Sequence, residues 1–407
     1  MSLLTKRVEL QGHLLDARVL PGVISEVESR GGDIIVEEST IGRTKDDASR
    51  VIMEVTAPTP EAMTEILQVI GSFGGRVIHE EEVDLQPAPK NGVFPEGFYS
   101  TTNLPTQVFF AGEYLPVEDV EMDCAVVIDT RDKARARCVP IHRIQEGERV
   151  VVGHRGVRVL SLAHEKEKEV FSFMGSEVSS ERPKTLVVKD IALKMQEIRG
   201  RGGKILLVLG PAVIHTGAGR HLERLIAAGY VQCVFAGNAV ATHDIEHALY
   251  GTSLGIYLDT GASARGGHAH HLRAINRIRL AGGIRDAVEQ GILTRGVMHA
   301  LVTHGVDFVL AGSIRDDGPL PEVISDTVKA QDAMRTQIRG VEMALMLASM
   351  LHAIATGNIL PATVRTVCVD INPAVVTKLV DRGSHQTMGI VSDVEWFLGE
   401  LCDNLLA

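Results

Sequence analysis

The sequence predicts a multidomain α/β protein, and three observations carry that prediction. From Thr185 onward, apolar runs of strand length alternate with longer stretches of helical texture, the pattern of parallel strands joined by helices. Residues 5–85 follow a shorter βαββαβ order, which is that of a ferredoxin-like unit. Between about 108 and 160, five short apolar runs succeed one another with turn formers and no helical stretch between them, the texture of a compact β-barrel. At 407 residues the chain exceeds the size at which one core keeps growing. Three regions are therefore expected: 1–85, ferredoxin-like; 86–164, small and β-rich; and 165–407, an α/β domain built on a parallel sheet.

The first region opens with a strand at 7–10, followed by a helix over 20–30 that Gly31 and Gly32 end. Strands are expected at 33–37 and 49–55. Thr59-Pro60-Glu61 starts a helix reaching Phe73, and a last strand covers 76–78. Such units serve as effector modules, dimerisation surfaces or packing lids, so this one decides little about function. Gln86-Pro87-Ala88-Pro89 reads as a linker. Behind it, Glu96, Tyr99, Ser100, Thr101, Thr102 and Asn103 crowd a loop with more polar groups than can be buried without partners, which suggests a binding loop. Short strands are expected at 108–110, 124–128, 137–140, 149–152 and 158–160, and the charged run 165–169 reads as a hinge.

The third region is organised around 204–255. Ile205 to Leu209 is an unbroken apolar run, a strand covered on both faces, ended by Gly210-Pro211. Thr216-Gly217-Ala218-Gly219 forms a turn into a helix over 221–228, with Leu222, Leu225 and Ile226 on one face. A second strand at 231–235 ends in Ala236-Gly237-Asn238-Ala239, and Thr242-His243-Asp244 lead into another helix. Two parallel strands whose tips both carry small residues and helix amino-termini outline a site for a nucleotide diphosphate. The ordinary dinucleotide fingerprint is nevertheless missing: Leu222 stands where its third glycine belongs, and six residues separate Gly210 from Gly217. Further strands are expected at 255–258, 308–310 and 366–369, with helices at 191–199, 268–278 and 342–355, the last running into Thr356-Gly357-Asn358.

Several motifs point to chemistry. Asp370 ends the 366–369 strand, where a carboxylate can accept both ribose hydroxyls of an adenosine or cap the helix at Pro373. Arg315, Asp316 and Asp317 follow the 308–310 strand; Arg315 suits a substrate carboxylate, and the two aspartates suit a substrate amine or a ribose, unless the turn is simply solvated. Ser384-His385-Gln386-Thr387 and Ser392-Asp393-Val394 flank a late apolar strand. Gly251-Thr252-Ser253-Leu254-Gly255 matches the esterase Gly-x-Ser-x-Gly, but a helix precedes it and a strand follows, the reverse of a nucleophile elbow. His243-x3-His247 and His268-Ala269-His270-His271 have metal-ligand spacing without an HExxH motif, so no metal is expected. His215 or His243 could carry a proton near the crevice.

A net charge of −11 and the absence of a basic, aromatic-interleaved patch argue against nucleic acid or membrane as partner. Cys124, Cys138, Cys233, Cys368 and Cys402 form no CxxC pair and read as buried thiols of a reducing compartment. With no apolar leader and no apolar run near 18 residues, a cytoplasmic protein is expected.

The runs FPEGFYSTTNLPT, FAGNAVATHDIEHALYGTSLG, ASMLHAIATGNILP and VCVDINPAVVTKLVDRGSHQTMGIVSDVEWFL resemble the archaeal-type ornithine cyclodeaminases. That family also forms the carboxyl-terminal part of the bifunctional arginine dihydrolase/ornithine cyclodeaminase, and it once carried the LOR/SDH label. The resemblance implies a carboxyl-terminal NAD-binding domain of the deoxyhypusine-synthase-like type. It implies NAD as cofactor, held by Asn238, Ala239, Asp316, Thr356, Gly357, Asn358, Asp370, Asp393 and Val394. The implied reaction turns L-ornithine into L-proline and ammonia with no net redox change. Catalytic candidates are Asp316, His243 and Glu96; Arg265, Arg315, Asp317 and His215 are also available, with Tyr99 and Asn103 as groups that could close over a substrate. The expected partner is a small amino acid, and a homo-oligomer is expected. Two other readings stay open: an NAD-dependent amino-acid oxidoreductase of the saccharopine or lysine-ketoglutarate type, and a non-catalytic sensor of NAD or amino acid.

Overall fold

The computed structural model describes residues 4–12, 19–40, 49–77, 81–131, 133–160, 183–316, 318–381 and 387–406. Ile78, the 165–169 run, Asp317 and Ser384-His385-Gln386 lie outside them. Packing divides the chain into two compact units, Met1–Glu165 and Lys166–Ala407.

The first unit holds two sheets. β1 (Leu4–Gly12), β2 (Asp33–Thr40), β3 (Ser49–Ala57) and β4 (Gly75–Val77) pair antiparallel in the order β2-β3-β1-β4, with helices Val19–Ser29 and Pro60–Ser72 between strands. The inward residues of β1 and β3, among them Val8, Leu10, Met53 and Val55, pack on Ile66 and Ile70 of the second helix. Thr59 caps that helix, its hydroxyl oxygen accepting from Ala62 N at 3.2 Å. The expected ferredoxin-like unit is therefore present.

The second sheet comprises β5 (Asp84–Pro87), β6 (Thr106–Phe110), β7 (Glu113–Glu118), β8 (Ala125–Asp129), β9 (Arg135–Val139), β10 (Arg149–Val152) and β11 (Val157–Val159), in the order β11-β6-β7-β9-β8-β10-β5. Its edges curl together: Val83, just before β5, donates its N–H to Phe109 O of β6, while Phe109 N–H donates to Gly156 O before β11. β5 and β7 were not expected as strands, because Pro87 made one read as linker and Pro116 with two glutamates interrupts the other. The polar loop ahead of β6 is largely satisfied from within. Thr101 Oγ1 donates to Glu121 O at 2.7 Å and accepts from Cys124 N, and Tyr99 is buried with its ring edge against His154. Glu96, Ser100 and Thr102 are exposed.

In the second unit, β12 (Lys204–Leu209), β13 (Cys233–Gly237), β16 (Asp307–Ala311), β17 (Val323–Ile324), β18 (Val341–Leu347), β19 (Arg365–Asp370) and β20 (Thr387–Val391) make one sheet in the order β17-β16-β13-β12-β18-β19-β20, and every pair is parallel. β14 (Thr252–Ser253) and β15 (Ile256–Tyr257) form a separate hairpin, so the strand expected at 255–258 does not join the main sheet. Without the short β17, the order is the doubly wound 3-2-1-4-5-6 pattern. Ile205, Leu207 and Leu209 face one core and Leu206 and Val208 the other, which is why β12 reads as a continuous apolar run.

The expected helix at 342–355 is instead β18, a turn, and the helix Leu351–Ile359. Glu, Met, Ala and Leu favour helix in isolation. Here they occupy a central strand between β12 and β19, and burial on both faces overrides the propensity. Met343 to Leu347 are thus core residues.

Candidate functional site

The order in which the strands are laid down determines where the crevice forms. β13, β16 and β17 extend the sheet to one side of β12; the chain then returns, and β18, β19 and β20 extend it to the other. Connections therefore leave β12 and β18 toward opposite faces, opening a crevice at their carboxyl ends. Gly210 closes β12, and its N–H donates to Leu347 O at 2.9 Å. A Cβ at Gly210 would land on the carbonyl oxygen of Ala348, so the strand tips approach this closely only with glycine there. Ala348 has φ +49, a left-handed conformation that costs a non-glycine residue energy. At the tip of β13, a Cβ on Gly237 would come within 2.8 Å of His352 Cε1.

Among the helices that begin at this edge are Asn238–Tyr250 after β13 and Leu351–Ile359 after β18, neither of which has a side-chain cap. Their first-turn N–H groups and positive dipole ends suit an anion. The glycines of the sequence motif stand further off: a one-turn helix, Ala212–His215, separates Gly210 from Gly217, where an added Cβ would meet nothing within 4 Å among the described residues.

The sequence-derived residues distribute along this edge. Asn238, buried, starts the helix behind β13; its Oδ1 accepts from Leu320 N at 3.0 Å and from the Thr242 hydroxyl, and Ala239 follows in the same turn. Asp316 lies in the turn after β16, with Oδ2 accepting from Ser313 N at 2.8 Å. Thr356 is fully buried on the helix after β18, and its Oγ1 has no hydrogen-bond partner among the described residues; Gly357 and Asn358 follow it. Asp370 ends β19, one carboxyl oxygen accepting from Asn372 N at 2.8 Å. Asp393 caps the last helix, accepting from Glu395 N and Trp396 N, and Val394 is packed in the core. Asn238, Asp316, Asp370 and Asp393 thus follow β13, β16, β19 and β20 along one edge. Glu96 belongs to the other unit. Arg265 and Arg315 are exposed.

Sequence reasoning passed over His352. Burial lowers its pKa, with the nearby Asp316 carboxylate pulling the other way. A lone histidine in an apolar stretch gave no signal until β18 was recognised as a strand ending just before it.

A second polar group lies behind the tips of β12 and β13. Glu246, wholly buried, accepts four donors: Thr252 Oγ1 at 2.9 Å, Gly255 N at 2.9 Å, Leu254 N at 3.2 Å and His243 Nδ1 at 3.0 Å. Burial alone would raise its pKa, but the hydrogen bonds from His243, Gly255 and Thr252 outweigh it and hold the carboxyl below its usual range. His215 Nδ1 lies 2.7 Å from Ser253 Oγ, and its ring packs 4.8 Å from that of His243. Burial first, and His243 second, press the His215 pKa down to about 4, so it is neutral at pH 7. Ser253 sits in the β14–β15 hairpin and not in a nucleophile elbow. Among the described residues no three His, Cys, Asp or Glu side chains are grouped to hold a metal.

Three family models tile the chain: the LOR/SDH bifunctional enzyme conserved region over residues 5–104, and the first region and Rossmann fold of the arginine dihydrolase ArgZ-like C-terminal part over 105–188 and 189–401. The ornithine cyclodeaminase of Methanocaldococcus jannaschii is 53% identical, covering 98% of this chain and 96% of that protein. The chain belongs to the archaeal-type ornithine cyclodeaminase family. Within that family, the ornithine cyclodeaminase of Methanothermobacter thermautotrophicus is 50% identical over 97% of this chain and 96% of its own length. Among solved structures, a conserved LOR/SDH protein from Methanococcus maripaludis superposes with TM-score 0.76 at 48% identity, covering 80% of this chain and 98% of that one. The ternary complex of AgrE with ornithine and NAD⁺ superposes with TM-score 0.54 at 42% identity, covering 99% of this chain and 57% of that one. The family's Rossmann-fold description agrees with the strand order, although the glycine fingerprint is absent.

Proposed function

We propose that this protein converts L-ornithine to L-proline and ammonia with NAD as a cofactor that is regenerated in each turnover. One observation carries the reading: the chain has a dinucleotide-type crevice between β12 and β18 and matches, over nearly its whole length, a relative named ornithine cyclodeaminase. The crevice suits NAD, because Gly210 and Gly237 let the strand tips pack closely against Ala348 and His352 at its floor, two uncapped helix ends favour a diphosphate, and the Thr356 hydroxyl is buried without a partner among the described residues. Asn238 and Ala239 would face the diphosphate, Asp370 a ribose, and Asp316, Thr356, Gly357, Asn358, Asp393 and Val394 the rest of the cofactor.

When bound, NAD⁺ supplies a hydride acceptor that later gives the hydride back, so no net oxidation results. The chain's own groups must bind the substrate's charges and move its protons. Asp316 and His243 lie in the unit that carries the crevice and are proposed for that work; Glu96 is the third candidate. We place the enzyme in ornithine and proline metabolism, in the cytoplasm and as a homo-oligomer. All five cysteines are free and buried, which suits a reducing compartment; among the described residues no helix is long and apolar enough to cross a membrane. Ornithine incubated with catalytic NAD⁺ should yield proline and ammonia in equal amounts. Stoichiometric NADH would instead indicate a net oxidoreductase, and ligand stabilisation without turnover a sensor.

A further inference from the structure

We propose that Glu246 is the positioning residue of a histidine base. Its carboxylate fixes His243 in the tautomer that presents the Nε2 lone pair, and it also holds the 252–255 turn that sets Ser253 against His215. The inference rests on the function proposed above, which names His243 as a candidate, and it assigns work to Glu246 and the Gly-x-Ser-x-Gly turn, which that function leaves idle.

A carboxylate can only accept, so the 3.0 Å contact with Glu246 Oε2 places a proton on His243 Nδ1. In the neutral ring Nε2 is then the unprotonated nitrogen. It has no hydrogen bond among the described residues and is not one of the buried atoms left without a partner, so it is open. His243 lies just over one turn into the helix that begins at the tip of β13, and its ring packs on His215 of the short helix after β12. The pair therefore stands beside the crevice. A carboxylate that orients a histidine through Nδ1 and offsets the imidazolium formed at Nε2 is a general arrangement for a base.

The remaining contacts of Glu246 argue against a purely structural role. Holding the turn at Leu254, whose φ is +55, needs only acceptors for Leu254 N, Gly255 N and the Thr252 hydroxyl. A neutral amide oxygen could serve two of these. The Thr252 hydroxyl, having donated to Glu246, accepts from His270 Nδ1 at 2.8 Å, so this side of the carboxylate is fully ordered without His243. The charge is needed on the His243 side. In the step assigned, His243 Nε2 takes one proton from the substrate's α-ammonium group; the positive charge passes to the imidazole, where Glu246 balances it, and the amine is left neutral.

The test uses the full chain. Histidine-selective ¹⁵N NMR, with the His243 signal assigned through His243→Gln, should show the proton on Nδ1. Glu246→Gln keeps an oxygen for the turn but presents N–H to His243; it should move that proton to Nε2, lower kcat about 100-fold or more, and leave KM and NAD affinity within about threefold. Wild-type His243 protonated on Nε2, or a folded Glu246→Gln with kcat near wild type, would overturn the proposal. Should Glu246→Gln fail to fold, the wild-type tautomer still decides. Absence of proline formation by the wild type would refute the proposed reaction, while the NMR would still report on Glu246.

Discussion

Replacing Gly210 by Ala tests whether the strand tips at β12 and β18 form the cofactor crevice. The added methyl would overlap the Ala348 carbonyl oxygen and lie 3.1 Å from Ser349 Cα, both backbone atoms. Neither tip can move freely, because Gly210 N–H is bonded to Leu347 O and Ala348 N–H to Val369 O, each at 2.9 Å. Overpacking typically costs 1–3 kcal/mol, and with no flexible side chain to yield, a cost of about 3 kcal/mol is expected. For a unit of this size that lowers Tm by about 6–12 °C. A displacement of about 1 Å at the crevice should also cut kcat/KM for ornithine about 100-fold. Gly217→Ala is the control. Its φ of +80 penalises alanine by about 1–2 kcal/mol, but nothing lies within 4 Å of the new methyl. It should melt somewhat lower and bind NAD as wild type does. Thermal melts and calorimetric NAD titration of both variants give the answer. If Gly217→Ala abolished NAD binding while Gly210→Ala did not, the cofactor would sit on the glycine-rich turn and the placement argued here would be wrong.

Other outcomes follow from single groups. Asp370→Asn keeps an oxygen for Asn372 N but loses its charge. Stability should hold, and NAD affinity should fall about 10- to 100-fold by isothermal titration, the worth of one charged hydrogen bond. Asp244, fully buried beside Glu223, has its pKa pushed up to about 7 by burial, although Val297 N and Met298 N donate to it. The folded state then binds this proton more tightly than the unfolded chain does, so between about pH 4 and 7 the group subtracts stability as pH rises, by about 1.4 kcal/mol per unit at most. The difference between wild-type and Asp244→Asn melts should show that slope; a pH-independent difference would contradict it. Asp393→Ala removes the acceptor for Glu395 N and Trp396 N and should cost about 1 kcal/mol in denaturant unfolding.

How much was legible in the sequence depended on how local the determinant is. The ferredoxin-like unit could be read because its strands alternate and its second helix carries its own cap at Thr59. β12, β13, β16 and β19 could be read as apolar runs ended by small or acidic residues. β18 could not, since Val341 to Leu347 has helix-forming composition and becomes a strand only through its neighbours on both sides. The crevice was inferred from β12 and β13 and centred on the glycine turn, whereas it opens between β12 and the unread β18, where the tight contact is between Gly210 and Ala348, 138 residues apart by number. His352 depended on β18 and was missed with it. Glu246 was visible as a letter in the sequence; its four donors come together only when 252–255 folds back on the helix.

The most direct measurement follows the α-hydrogen of the substrate. Ornithine deuterated at the α-carbon, incubated with catalytic unlabelled NAD⁺, should give proline that retains the deuterium at its own α-carbon, with ammonia released and no NADH accumulating. Proline that had lost the label to solvent, or turnover unaffected by removing NAD, would contradict the account.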